Sequence, residues 1–293
     1  MTVINTNIAA IQAANASDSA SQMTSQAMEQ LSTGMQINSA ADNAAGLAIV
    51  NTMTSQINGM TQAVANANDG VSLAQTAGGA LTEVTNMLQR IRELAVQSSS
   101  GTYEASDRAA MQTEVANLTD QVSSILNTTT FNGVNVFSVT SGAPAANGSD
   151  DIITTIQTGA NNGENVAIDS PAFDGGQLFG TGAGGNGLTA FSSASGTTQA
   201  LDVSTQTAAA TTITNVDAAI NEVNANQSSL GAAQNRLTSV VENLNTDITN
   251  LSSARSQIQD TDYSTATTNL AKAQILSQAS TAMIAQANQS QQN

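Results

Sequence analysis

The sequence contains no cysteine, no histidine and no tryptophan. Without a thiolate or an imidazole, Cys/His nucleophilic sites, zinc sites and Cys-ligated iron–sulfur clusters are excluded. No disulfide can form, so stability must come from packing or assembly. Cations are scarce too. Six Lys and Arg stand against 22 Asp and Glu, a net charge of −16 over 293 residues. This argues against nucleic acid as a partner, because phosphates need clustered bases. It argues equally against an anionic membrane surface. Long apolar runs are missing as well. The best, Ala44 to Val50, has seven residues where a membrane span needs about 20, so no membrane insertion is expected. The opening stretch, Met1 to Asn7, lacks a positive segment followed by an apolar one and does not read as a standard secretory signal.

What is present falls into three zones. Residues 1–127 and 206–293 are free of proline and rich in Ala, Ser, Thr, Asn and Gln. Residues 128–205 hold both prolines, all five Phe, 13 of the 21 Gly, six acids and no base. The flanks carry helical spacing. Ile4, Ile8 and Ile11 begin it, and Met28, Leu31 and Met35 continue it. Leu81, Val84, Leu88, Ile91 and Leu94 form a second stripe, and Met111, Val115, Leu118, Val122 and Ile125 a third. Near the end, Leu230, Leu237, Leu244, Leu251 and Ile258 recur every seven residues. A sustained heptad predicts a coiled-coil seam rather than a globular amphipathic helix. The N-terminal stripe, Ile4–Ile11 with Met28–Met35, is its expected partner inside the chain, with neighbouring copies completing the surface. Ala266, Leu270, Ala273, Leu276, Met283 and Ala287 extend helical character almost to the end.

The centre reads as short strands and turns. Asn132-Gly133 is a hairpin-turn signal, and Asp151–Thr158 and Asn165–Asp169 are strand candidates. Gly175 to Gly187 is too rich in glycine to predict strand or helix. Gly180-Thr181-Gly182-Ala183-Gly184-Gly185 satisfies G-x-G-x-x-G. It lacks the preceding buried strand and following helix of a dinucleotide site, so it reads as a loop. Asp150, Asp151, Glu164 and Asp169 do not follow the spacing of a calcium loop and read as solvated turns. No catalytic residue, metal site or cofactor is expected.

Several blocks go beyond periodicity. Leu31-Ser32-Thr33-Gly34 with Ile37 to Ile49, Ala67 to Thr76, and Leu88 to Gln97 resemble the N-terminal signature of bacterial flagellin. Leu230 to Leu237, Ala254 to Tyr263, Lys272 to Leu276 and Ala285 to Gln289 are similar to its C-terminal part. The resemblance implies a mainly α fold: N- and C-terminal helices in a coiled coil or helical bundle, with a small β-rich variable central domain. The boundaries it suggests are 1–40 and 256–293 for the coiled-coil segments, 41–137 and 206–255 for the conserved helical parts, and 138–205 for the variable surface domain.

The resemblance also implies a role: a structural subunit, not an enzyme, that self-assembles as a homo-oligomer into the helical flagellar filament used for motility. Its location would be extracellular, reached by type III export without a cleaved signal. An export chaperone, the filament cap and hook-associated proteins would be its partners. The alternatives are a hook–filament junction protein and a cell-surface glycan- or receptor-binding homologue. Arg90, Leu94 and Glu114 match positions by which flagellins are recognised by the innate receptor Toll-like receptor 5. Every base lies in a helical flank, which makes Arg90, Arg92, Arg236 and Arg255 candidates for ion pairs within or between subunits. The chain departs from the family pattern at Gln36 and Ala41, where bases are common. It also departs at Gln291–Asn293, where a Leu-rich tail closing with Arg is usual, so a shortened or atypical end is expected.

Overall fold

The computed structural model describes residues 6–145, 148–182, 188–193 and 198–290. The flanks form α1 (Ile8–Thr33), α2 (Ala44–Ser98), α3 (Ala105–Thr128), α5 (Gln206–Gln259) and α6 (Tyr263–Ser290). Between α3 and α5 lie β1 (Thr130–Phe131), β2 (Val134–Asn135), β3 (Val139–Thr140), β4 (Ile152–Gln157), β5 (Asn165–Ser170), β6 (Phe173–Asp174) and the short helix α4 (Gly175–Phe179). The fold class is the expected one, mainly α with a small strand-containing centre. Long helices form although Ser and Thr are mediocre helix formers, because their hydroxyls find partners one turn back. Thr24 donates to the Ala20 carbonyl at 2.8 Å, Thr85 to Leu81 at 2.8 Å and Thr119 to Val115 at 2.7 Å. Each such bond satisfies the hydroxyl without breaking the helical ladder.

The chain divides into two compact units. A terminal unit joins Met1–Asn58 to Asp247–Asn293, and a middle unit comprises Gly59–Thr246.

In the terminal unit α1 and α6 run antiparallel. Asn7 Nδ2 donates to the Ala287 carbonyl at 2.9 Å near one end, and Met35 bridges Asp260 near the other. Ala13, Ala20 and Ala27 are buried on α1, and Ala266, Ala273 and Ser280 on α6. Half-buried Ala10, Ser17, Thr24 and Leu31 alternate with the first set, and Leu270, Ser277, Ile284 and Ala287 with the second. Both rows follow heptad spacing. The seam is therefore built on small side chains, which let two helices approach closely.

The turn after α1 closes on Gly34, left-handed at φ 72°, whose N–H donates to the Gln30 carbonyl at 2.9 Å. Thr261 N donates to Gly34 O at 2.9 Å, so the α1–α2 and α5–α6 turns are tied together. Asp42 collects the N–H groups of Asn38 and Ser39 and the Ser39 hydroxyl at 2.9–3.1 Å. Those donors, the Ser39 amide first, hold its carboxyl below the usual carboxylate range.

The middle unit has a core of larger residues. Leu81, Val84, Leu88 and Ile91 of α2, Val115 and Leu126 of α3, and Val216, Val223, Leu230 and Leu237 of α5 are buried in one cluster. Leu230 and Leu237 thus pack in a core with α2 and α3, whereas α1 takes α6 as its partner. For Leu230 and Leu237 this corrects the expected pairing with the N-terminal stripe, whereas the end of the heptad, Leu251 and Ile258, lies in the terminal unit. The physical reason is size: the alanine rows of α1 and α6 match each other, while the leucines of α5 match the aliphatic stripes of α2 and α3.

The centre is strand-poor but ordered by its aromatics. Asn132 (φ 49°) and Gly133 (φ 79°) make the turn between β1 and β2. Asn132-Gly133 suits this turn because both residues tolerate positive φ. β4 and β5 pair antiparallel over six residues, and β3 pairs parallel with β6. The Phe137 and Phe173 rings meet edge to face with centroids 6.0 Å apart. Gly175–Phe179 is helical, against the expectation for this glycine-rich stretch. Asp174 caps it, accepting from the Gly176 and Gln177 amides at 2.8 and 3.3 Å, and Leu178 and Phe179 anchor it in the core. The later part of the G-x-G-x-x-G stretch, 183–185, lies outside the described residues.

Replacing Ala20 by Leu should wedge α1 from α6 and cost about 1–3 kcal/mol, the usual penalty for overpacking a filled site. Exposed Ile11→Ser should stay within about 0.5 kcal/mol of the parent. Urea denaturation of each variant, monitored by circular dichroism, measures the difference.

Candidate functional site

The heptad rows leave many of the large apolar groups of the terminal unit outside. Among the described residues, twelve large hydrophobic side chains are exposed, and nine of them belong to this unit: Ile8, Ile11, Met23, Met28, Ile49, Tyr263, Ile275, Leu276 and Met283. The middle unit contributes Val96, Val134 and Ile153. An alanine seam with isoleucine and methionine outside inverts the usual arrangement of an amphipathic pair. Nine exposed large apolar side chains in one unit make its outer surface a candidate interaction surface.

The residues expected to form the seam are distributed as follows. Ile8 and Ile11, expected in subunit packing or the coiled-coil seam, are exposed in the single copy, and the residues withdrawn against α6 nearby are Ala10 and Ala13. Leu31 sits half-buried in the α1 row. Leu230, Leu237 and Leu244 are buried in the middle unit, while Leu251 and Ile258 are half-buried in the terminal unit. Ile4 lies outside the described residues. On α6, Leu276 and Met283, expected on the apolar stripe, also point outward.

Two of the four candidate arginines make ion pairs. Arg90 bridges Glu93 at 3.0 Å and Glu114 at 2.9 Å, which links α2 to α3. Arg92 meets Asp217 at 2.7 Å, which links α2 to α5. The Glu114 and Glu93 carboxylates hold the Arg90 guanidinium above its ordinary value, and Asp217 does the same for Arg92. All three pairs are exposed, so they fix position more than they stabilise. Arg236 and Arg255 make no ion pair among the described residues.

Arg108, not singled out by the sequence reading, clamps three carbonyls. It donates to Ser98 O at 3.0 Å, Ser100 O at 2.7 Å and Tyr103 O at 2.5 Å. It thereby places a cation on the C-terminal end of α2, where the helix dipole favours one. No periodic signal marks this role, because it depends on the turn after α2. Leu94 is only 3% exposed and belongs to the middle-unit core. Its side chain is withdrawn from the surface on which Arg90 and Glu114 meet, a correction that follows from its place on the buried side of α2.

Polar side chains also hold the centre against the helices. Asn226, fully buried in the α5 row, accepts from Ser170 Oγ at 3.0 Å and donates to Pro171 O at 2.9 Å. Gln112 accepts from Val203 N at 2.6 Å and donates to Gln199 Oε1 at 3.0 Å. Glu222 accepts from the Asp174 amide at 3.1 Å beside the buried Asp174 carboxyl. Desolvation first, then the neighbouring Asp174 charge, raises the Glu222 carboxyl to about 7. Among the described residues no group of three or more Asp and Glu is arranged to hold a metal ion.

Comparison with known proteins follows the same division of the chain. A family model described as bacterial flagellin N-terminal helical region matches residues 4–142, and one described as bacterial flagellin C-terminal helical region matches 213–293. A phase 1 flagellin of Salmonella naestved is 45% identical over 172 residues, 59% of this chain and 32% of that protein. The flagellin of Salmonella dublin matches over the same extent. The matched stretch thus spans about a third of the length of these curated relatives. The crystal structure of Bacillus cereus flagellin is 26% identical, covering 61% of this chain and 88% of that one at a TM-score of 0.44.

Between about pH 4.5 and pH 7 folded Glu222 keeps a proton that the unfolded chain has released. Its contribution is therefore full below the unfolded value and declines as pH rises through 7. The middle unit should lose about 1–2 kcal/mol between pH 5 and pH 8, after discounting for solvent screening. Glu222→Gln should flatten that slope, as measured by urea titrations at several pH values.

Proposed function

The chain belongs to the bacterial flagellin family, and from that premise we propose that it is the structural subunit of a flagellar filament, acting by self-association and not by catalysis. One observation carries this reading. The terminal unit fully buries only alanine and serine in its seam, keeps Leu31, Leu270 and Ile284 half-buried beside them, and presents nine large apolar side chains to solvent. Small seam residues bring the helices close but remove little area from water, at about 25 cal/mol per Å². The missing burial is supplied when identical copies lay these faces against one another. Repetition of such a heterologous contact builds an open helical array.

Several features belong with this proposal. The filament stands outside the cell, and its subunits arrive by type III export with the help of a chaperone. The filament cap and hook-associated proteins are its further partners. Arg236 and Arg255 serve as cations for carboxylates of neighbouring copies. The Arg90–Glu114 pair presents the surface read by Toll-like receptor 5, with Leu94 supporting it from beneath. The coiled-coil segments are 1–40 and 256–293, the conserved helical parts 41–137 and 206–255, and the outward-facing domain 138–205. No observation favours the junction-protein or glycan-binding readings.

Seeded assembly read by electron microscopy and sedimentation tests the proposal, and filaments are the expected result. Ile8→Ser, Ile11→Ser and Ile275→Ser together should each remove about 1 kcal/mol of association, raising the critical concentration about a hundredfold. Monomer stability should hardly change. A chain that stays monomeric with seeds overturns the reading. In a receptor reporter assay, soluble Arg90→Ala should lose at least about tenfold in potency, the usual scale for a central arginine contact. An unchanged response removes the receptor from the proposal.

A further inference from the structure

The nine methionines divide sharply by environment. Met60 and Met111 are buried, and Met53 and Met87 are half-buried. Met35 is half-buried, and its sulfur accepts a hydrogen bond from Gln259 Nε2 at 2.9 Å. Met1 lies outside the described residues. The exposed three are Met23 (41%), Met28 (52%) and Met283 (60%), all on α1 or α6 of the terminal unit. Met23 edges a cleft shared with Gln26, Asp262 and Lys272. Met283 edges another with Ala13, Ala16 and Ala287. The chain has no cysteine, so all its sulfur chemistry resides in thioethers, and the accessible ones lie on the two helices of the terminal unit.

We propose that Met23, Met28 and Met283 form an oxidation-sensitive set, and that their conversion to sulfoxide by a peroxide removes the free subunit from assembly. The inference rests on the reading of the terminal unit as the self-association surface. In the step, peroxide transfers one oxygen to the thioether. An S–O bond forms as the O–O bond breaks, sulfur gives up two electrons, and the remaining peroxide oxygen leaves as water. A soft apolar group becomes a polar, chiral sulfoxide with a strong acceptor oxygen. On a face that must be dehydrated against another copy, that oxygen loses its water without a matching donor. Assembled copies shield these sulfurs and free copies do not, so the damage is selective for subunits that have not yet joined. Reduction of the sulfoxide restores the thioether, which makes the block reversible.

The test uses the intact chain. Soluble subunit is treated with hydrogen peroxide to about one sulfoxide per chain, and peptide masses map the sites. Met23, Met28 and Met283 should oxidise at least about tenfold faster than Met60 and Met111, in keeping with their access. The mixture is then assembled from seeds, and sulfoxide at the three positions should be depleted about fivefold or more in the pellet relative to the supernatant. Circular dichroism before and after treatment excludes unfolding as the cause. Equal occupancy in pellet and supernatant overturns the inference, as does oxidation spread evenly over all sites. An untreated arm that yields no pelletable polymer overturns the filament reading and this inference with it, and is recognised by the absence of any pellet. In Met23→Leu/Met28→Leu/Met283→Leu the ratio of treated to untreated critical concentration should stay near one, whereas in the parent it rises about tenfold.

Discussion

Two helices that meet on alanine and serine come close together yet hide little apolar area. A buried methyl group removes only about 0.8 kcal/mol worth of surface from water, and ordering each residue of a long helix costs more than that. The pairing of α1 with α6 therefore has to be cheap in some other way, and the structure supplies two. Backbone and amide hydrogen bonds pin its ends, from Asn7 to the Ala287 carbonyl and from Thr261 to the Gly34 carbonyl. Hydroxyls along the helices satisfy themselves one turn back. What the seam leaves unused is the isoleucine and methionine on the outside. A pair of helices built this way is held in register by itself and leaves apolar groups that the proposed assembly would cover.

The middle unit follows the opposite economy. Its α2, α3 and α5 rows carry Leu, Ile and Val, and β6 and α4 bring in Phe173 and Phe179, both fully buried. Area is plentiful there, and the polar groups specify where things go. Buried Asn226 and Thr212 interrupt the α5 row and take hydrogen bonds to Ser170, Pro171 and Asp202. An unsatisfied amide at such a site is costly, so these bonds fix where Ser170, Pro171 and Asp202 sit on α5. Specificity comes from a few amides and hydroxyls, and cohesion from the aliphatic rows around them.

This difference explains what could be read in advance. Helices, the Asn132-Gly133 hairpin and the β4–β5 strands were legible, because period and turn chemistry are local properties of the sequence. The choice of packing face on α1 was not. Ile8 and Ile11 mark a stripe to any reading that weighs side chains by hydrophobicity, yet the buried row runs through Ala13, Ala20 and Ala27. Alanine is common all along the chain and carries little contrast, so its heptad is visible only beside the matching row on α6. The same holds for Leu94, whose burial depends on what α3 and α5 bring to that turn of α2. The helix at 175–179 escaped because Asp174 as cap and Leu178 and Phe179 as anchors outweigh two glycines. Arg108 escaped because its three carbonyl partners come from the end of one helix and the turn that follows it.

Charge sets the remaining condition on the proposed association. Each copy carries −16, so copies repel at distances up to a Debye length, about 8 Å at physiological ionic strength. Arg90, Arg92 and Arg108 are already engaged within the chain. The bases left to answer a neighbour's carboxylates are Arg236, Arg255 and Lys272, against far more acids than they can match. Attraction between copies must then come mainly from the apolar faces, which act only on contact, while repulsion acts before contact. Salt weakens the second, and strongly hydrated anions such as sulfate strengthen the first. A short-range attraction opposed by a longer-range repulsion favours growth at an existing end over new nuclei. An end offers several apolar faces at once to an arriving copy, whereas two free copies offer each other one face and the full charge of both.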